Sequence, residues 1–411
     1  MASTQTSPVL TFEAARKLVE EHSARLHPSG KELIGIMDSN GRVLAEPITA
    51  DRDFPPFARA TRDGYALRSA DAARIPATLN VSGEIRAGAK PEEILEVQAG
   101  STVAIMTGAP VPSGADAVVM VEYTERQGKN VVVNKKAECG ENIVPAGAEA
   151  KRGQRLLSPG TRLDPVSLGL AASLGRNRLL VYAKPRVAIL ATGDELVDVD
   201  VPPGPNQIRN SNTYSLAAQV QSAGGEPIIL PIAPDESERL KQLIGEGFES
   251  DLLLISGGVS MGKYDLVEQT LSEFNAEFLF TGAQIQPGKP IVFGVAEKAK
   301  YFFGLPGNPV STLVTFQLFV EPVLQALAGA TPRKLNFYRA QLKKEVNVKP
   351  GLKRFLPAVL SGEFESASVE LVPWQGSGDM AATAHANCYL VIPADKGNFA
   401  AGEWVSILPR A

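Results

Sequence analysis

The 411-residue chain reads as a multidomain α/β plus β protein. A three-layer α/β domain is expected, flanked by a β-rich N-terminal module and a small C-terminal β-barrel or sandwich. Three observations predict this. Residues 185–330 alternate apolar β-like runs with helical stretches at the pitch of parallel βαβ crossovers. Residues 48–150 break into short β-like runs punctuated by Gly, Pro and Asp, as a mainly antiparallel module does. From about 334 onward short strands return.

Taken in order, "LTFEAARKLVEEHSARLH" (10–27) puts Phe12, Ala15, Leu18, Val19 and Leu26 on roughly one face and predicts a helix. "TLNVSGEI", "STVAIMTG", "DAVVMVEYTE" and "NVVVNKKA" supply the β module, and a helix is expected over about 164–174. In the α/β region "PRVAILATG", "EPIILPIAPD", "SDLLLISGG", "PIVFGVA" and "YFFGL" read as strands. "SNTYSLAAQVQSAG", "ESERLKQLIGEGFE" and "YDLVEQTLSEFN" read as helices, and a long last helix runs from Pro309 to near Gly329. Asn308 is expected to cap that helix through its side chain, and Pro309 suits the first helical position. "YRAQLKKEV", "KRFLPAVL", "SVELVPW", "CYLVIPA" and "GEWVSIL" make the C-terminal strands. The expected domains are 1–50 with 145–184 (helical linker), 51–144 (inserted β-rich), 185–330 (α/β) and 334–411 (β-barrel).

Composition narrows the function classes. Net charge is −4, from 41 Lys+Arg against 45 Asp+Glu, so no global attraction to nucleic acid or an anionic membrane is expected. No apolar run reaches the roughly 20 residues of a membrane span, and the N-terminus lacks a secretory signal pattern, so a cytoplasmic protein is expected. Cys139 and Cys388 lie far apart and read as free thiols. With three histidines, His22, His27 and His385, the chain has no zinc-site spacing, and any metal should be a hard ion such as Mg²⁺.

In open α/β sheets, ligands bind beyond the carboxyl ends of the strands. Four such ends carry polar chemistry: Thr192, Gly193, Asp194 and Glu195; then Asp235; then Ser256, Gly257, Gly258, Ser260 and Asp265; then Pro306, Gly307, Asn308 and Pro309. Glycines allow close backbone approach to a phosphate or other oxyanion, and a helix N-terminus favours one. Glu195, Asp235 and Asp265 are candidates to hold Mg²⁺ through waters. Taken singly, Asp235 also suits a helix N-cap and Asp265 a first-turn dipole partner. Lys289 in "QPGKP" offers a cation, or is a solvated hairpin lysine.

In this order "TGDEL", "SGGVSMGKYD", "QPGKP" and "GLPGNPVS" resemble the molybdopterin molybdenumtransferase family, which includes the E domain of gephyrin. "TRDGYA" (61–66), "MTGAPVPSGADAVVMVE" (106–122), "GLKRF" and "WQGSGDM" extend the resemblance over nearly the whole chain. It implies a transferase that inserts molybdate into adenylylated molybdopterin, assisted by Mg²⁺, with release of AMP. It implies catalytic roles for Asp63, Thr107, Glu195, Asp235, Asp265 and Lys289, with Glu195 and Asp265 on the metal side. Arg354 and Ser377 are implied to face the 306–309 loop. It also implies an elongated homodimer whose site is shared between subunits, Asp63 and Thr107 completing the partner's site. A molybdopterin adenylyltransferase or a molybdoenzyme is a conceivable further partner. The chain departs from the family at Arg62, at Gln286 and in "FLFTGA", where relatives carry Met, Lys and a further Lys. Tungstate preference, a non-catalytic pterin-binding scaffold and a nucleotide hydrolase stay open as alternatives.

Overall fold

A computed structural model describes residues 9–258, 266–363 and 366–410. The chain divides into two compact units. One comprises Met1–Ala45, Gly160–Leu168 and Arg178–Ala411, the other Glu46–Pro159 and Gly169–Asn177.

The smaller unit is built on a six-stranded sheet, ordered Ala117–Met120, Gly64–Leu67, Ser101–Ile105, Ala77–Ile85, Asn130–Val133, Thr124–Gln127. Its pairings are antiparallel except that between Ala77–Ile85 and Ser101–Ile105, which is parallel. Both faces are buried. Tyr65, Leu67 and Val119 enter one apolar cluster; their neighbours Ala66 and Val118 join Ile85 and Val103 in the other. This is the period-two alternation of a strand.

The larger unit holds the three-layer domain. Its sheet contains β1 (Arg186–Ala191), β2 (Glu226–Ile229), β3 (Leu252–Ser256), β4 (Glu277–Phe280), β5 (Val292–Ala296) and β6 (Lys300–Leu305), in the order β2-β1-β3-β6-β5-β4. The first four in that order run parallel, and β5 and β4 add an antiparallel edge. On one face lie α1 (Phe12–Ser23), α2 (Asn212–Ser222) and α5 (Pro309–Leu327). They pack Phe12, Val19, Leu216, Val220, Val314 and Phe319 against Val187, Ile189, Leu254 and Phe303. On the other face α3 (Ser237–Gly247) and α4 (Leu266–Ser272) pack Leu240, Leu243, Val267 and Leu271 against Ala188, Leu190, Leu253 and Phe302.

Thr11 caps α1, accepting from the Ala14 N–H. α5 has the length and apolarity of a membrane span, but 72% of its apolar window is buried in this core. A π-helical turn, Phe316–Val320, interrupts it, and Gly329 follows its end with φ +75°. That left-handed position is the usual stop for a helix.

The C-terminal strands β7 (Tyr338–Leu342), β8 (Lys353–Ser361), β9 (Ser368–Leu371), β10 (Cys388–Ile392) and β11 (Trp404–Pro409) close into a ring, β8-β9-β7-β11-β10-β8. Closure decides for the barrel over the sandwich. Ala340, Leu342, Leu356, Leu390 and Ile407 fill the interior, whereas Phe355, Tyr389, Val391 and Leu408 join the core of the α/β domain.

Candidate functional site

A cavity of about 590 Å³ opens at the carboxyl ends of β1, β3 and β6. Thr192, Glu195, Ser256, Gly257, Gly258 and the 306–309 loop line it, together with Asn212 at the start of α2 and Gly378. A second cavity of about 340 Å³ shares Pro290, Pro306 and Asn308 with it and adds Gln286, Lys289, Trp374 and Ser377. The parallel sheet brings these segments together because each strand of the set delivers its following loop to the same edge.

Local chemistry explains the glycines. Gly257 and Gly258 have φ of +93° and +60°. A Cβ at Gly257 would sit 2.6 Å from the Thr192 carbonyl oxygen, and one at Gly258 would sit 2.7 Å from Thr192 Oγ1. The turn after β3 can therefore close on Thr192 only without side chains at these positions. Gly193, at φ +137°, packs against the Glu195 carboxylate in the same manner.

The 306–309 loop differs from expectation in one respect. Asn308 is the N-cap residue of α5, but its side chain makes no capping bond. Its Nδ2 donates instead to Ser377 Oγ at 2.9 Å, and the Val310 N–H donates to the Ser377 carbonyl at 3.0 Å. The loop after Trp374 thus competes for the groups that would otherwise cap or stay free. Thr312 Oγ1 donates to the Pro306 carbonyl at 2.5 Å and fixes the loop from within. Among the described residues, the Gly307 and Asn308 N–H groups have no internal acceptor. Asp379 caps the short helix Met380–Thr383 and also accepts from the Gln375 N–H, each at 2.9 Å, closing the turn that carries Ser377. These bonds hold its carboxyl below the ordinary aspartate range.

Asp235 does not cap α3; Glu236 occupies that position, without a side-chain bond. The Asp235 N–H donates to Asp194 Oδ1 at 3.1 Å. Partial burial raises its pKa, and the charges of Asp194 and Glu195 raise it further. Lys289 is exposed, and its ammonium has no ion pair or hydrogen bond among the described residues. Arg354 is 8% exposed and lines neither cavity. The parallel pairing of Ile285–Gln286 with Lys353–Arg354 sets Gln286 beside it, and Arg354 Nε donates to Gln286 Oε1 at 2.7 Å. Ser260 and Asp265 lie outside the described residues.

In the smaller unit, the antiparallel register Gly64↔Ile105 brings the residues just beyond each strand together. Asp63 Oδ1 accepts from the Thr107 N–H at 2.7 Å and from Thr107 Oγ1 at 2.8 Å. The two bonds, the backbone one foremost, hold the Asp63 pKa below its ordinary value.

Sequence reasoning did not single out Asn212. Its Nδ2 donates to Ser256 Oγ at 2.9 Å and to the Gly307 carbonyl at 2.7 Å, tying two strand-end loops together. The signal available was its place at the head of the helical run "SNTYSLAAQVQSAG", where an Asn reads as a plain cap.

Comparison with known proteins gives a consistent picture. Residues 10–175 match the family model described as the MoeA N-terminal region (domain I and II), 188–326 a probable molybdopterin binding domain, and 339–409 the MoeA C-terminal region (domain IV). The molybdopterin molybdenumtransferase of Haemophilus influenzae is 35% identical over 408 residues, covering 98% of each chain. That of Bacillus subtilis is 35% identical over 413 residues, covering 98% of this chain and 94% of its own. The crystal structure of a molybdopterin biosynthesis moeA protein from Pyrococcus horikoshii OT3 superposes with a TM-score of 0.80 at 31% identity, over 98% of this chain and all of that one. With relatives matched end to end and three regional models matched in order, the chain belongs to the molybdopterin molybdenumtransferase family.

Proposed function

We propose that this chain is a molybdopterin molybdenumtransferase, a transferase of molybdenum cofactor biosynthesis that inserts molybdate into adenylylated molybdopterin and releases AMP. The observation that carries the reading is the strand-end cavity, lined by close-packed glycines and by the Gly307 and Asn308 N–H groups, which have no acceptor among the described residues, in a chain related end to end to transferases of that name. Molybdate and the adenylylated pterin are both anions, so bringing them together needs positive potential. Gly307 and Asn308 N–H groups and the exposed Lys289 supply it here, and removing one such element typically costs on the order of 10²–10³ in rate.

Mg²⁺ fits the donor chemistry in a restricted way. Among the described residues no three Asp, Glu, His or Cys side chains gather closely enough to enclose a metal. The charges of Asp194 and Glu195 do bear on Asp235, the condition a hard cation relieves. Mg²⁺ keeps several waters and needs only one or two carboxylates; Glu195 and Asp265 are proposed to hold it, with Asp235 nearby. The ion would neutralise phosphate charge.

We further propose a cytoplasmic homodimer with a shared site, Asp63 and Thr107 of one copy serving the α/β cavity of the other. Support for the compartment comes from Cys139 and Cys388, both free thiols. The test of the activity is AMP release from adenylylated molybdopterin by the purified protein with Mg²⁺, titrating molybdate and, separately, tungstate. Oxyanion-dependent release is expected; tight pterin binding without release at any oxyanion concentration would reject the transferase reading in favour of a scaffold.

A further inference from the structure

The amide of Asn212 is oriented by its partners. The Gly307 carbonyl can only accept, so the atom 2.7 Å from it must be the amide nitrogen. That nitrogen carries two hydrogens, and both are used, on Gly307 O and on Ser256 Oγ. Oδ1 is then left buried without a donor among the described residues. Thr192 Oγ1, in the lining of the same cavity, is likewise buried and unpartnered, in a residue only 4% exposed. Unpaired buried polar atoms are rare and costly, and two in one cavity wall point to a missing ligand.

The amide oxygen of Asn212 restricts that ligand, because it can only accept, whereas the Thr192 hydroxyl can accept or donate and adapts to the same group. An oxyanion presents only acceptor oxygens at neutral pH, and these would repel Oδ1. An N–H or O–H group would satisfy it. The Gly307 and Asn308 N–H groups have the opposite requirement and suit an oxyanion. The cavity therefore carries both polarities, linked by Asn212 itself, since its nitrogen holds the loop that bears those N–H groups.

We propose that Asn212 and Thr192 are specificity-determining residues that read the N–H edge of the substrate's heterocycle while the 307–308 N–H groups take an oxyanion. This rests on the transferase reading above and deepens it. Adenylylated molybdopterin has two heterocycles, a pterin and an adenine, and the same contact chemistry serves either. A site built to hydrogen-bond a substrate N–H discriminates strongly against ligands that lack it.

Thr192→Val is the decisive variant. It is nearly isosteric and removes a hydroxyl that has no internal partner, so a purely structural role predicts unchanged or raised melting temperature and unchanged binding. Asn212→Leu is the companion, and it also removes the two loop-tying bonds. Binding is measured on wild type and both variants with adenylylated molybdopterin, molybdopterin, AMP and molybdate as separate probes. Expected is a loss of about tenfold to a hundredfold for adenylylated molybdopterin in Thr192→Val, at wild-type melting temperature and with molybdate affinity kept. A parallel loss for molybdopterin assigns the contact to the pterin, and for AMP to the adenine. Wild-type affinity of Thr192→Val for adenylylated molybdopterin overturns the proposal, as does an equal loss for molybdate. A wild-type protein that binds no adenylylated molybdopterin would instead sink the transferase reading, a failure visible before any variant is compared.

Discussion

Asp235 shows how single residues in this protein are tuned by neighbours rather than by their own chemistry. Burial is the larger cause of its raised pKa, and the charges of Asp194 and Glu195 add to it. A carboxyl whose pKa is higher folded than unfolded favours the fold while protonated. That contribution is present below the ordinary aspartate pKa and is lost as pH rises through the raised folded value. Asp194→Asn removes one repelling charge. The Asp235 pKa is then expected to fall toward, but not reach, its ordinary value, because burial remains. A carboxyl-carbon NMR titration of wild type and variant checks this; an unmoved Asp235 would show that repulsion from Asp194 plays no part. Asp63 presents the opposite case, held down by two bonds from Thr107. Its motif was legible in "TRDGYA" and "MTGAP", but the Thr107 partner was not, since 44 residues separate the two and only the sheet register joins them.

At the scale of elements, α5 does two jobs. Its N-terminal end forms the 306–309 wall, and its apolar length anchors that wall to the core. Phe319 is fully buried, with Phe12 and Phe280 rings at 6.0 Å each. Phe319→Ala should cost about 3–5 kcal/mol, through lost burial and the cavity left behind. Urea unfolding measures it; a loss under about 1 kcal/mol, below the transfer part alone, would show that Phe319 does not anchor this core. The extent of this helix was readable from the apolar run, from Pro309 and from Gly329. The side-chain cap expected of Asn308 was not realised, because the Ser377 carbonyl, from the C-terminal module, takes the Val310 N–H that a cap would accept from, while Ser377 Oγ holds the Asn308 amide nitrogen. Propensity sees only the neighbours along the chain, and the competing acceptor lies 69 residues away.

For the whole molecule the proposed shared site gives a sharp expectation. Asp63→Asn and Lys289→Ala should each suppress AMP release. If one copy serves the other, mixing the two variants under conditions of subunit exchange regenerates one intact site in each mixed dimer. Activity should then recover to about a quarter of wild type, since random exchange makes half the dimers mixed. No recovery, with exchange verified by mass, would place both residues in the service of a single copy.

The sequence by itself determined the parallel α/β domain, the glycine-marked strand ends and the family. Those depend on local periodicity and on contiguous motifs such as "SGGVS" and "GLPGNPVS". The tertiary structure alone decided that the C-terminal strands close into a barrel, because closure is a pairing of β8 with β10 that no run of residues encodes locally. It alone joined Asp63 to Thr107, tied Arg354 to Gln286, and turned Asn212 from a helix-start residue into the tie between two loops. In each case the deciding contact is a hydrogen bond between segments distant in sequence, fixed by strand register and by which loops the sheet delivers to one edge.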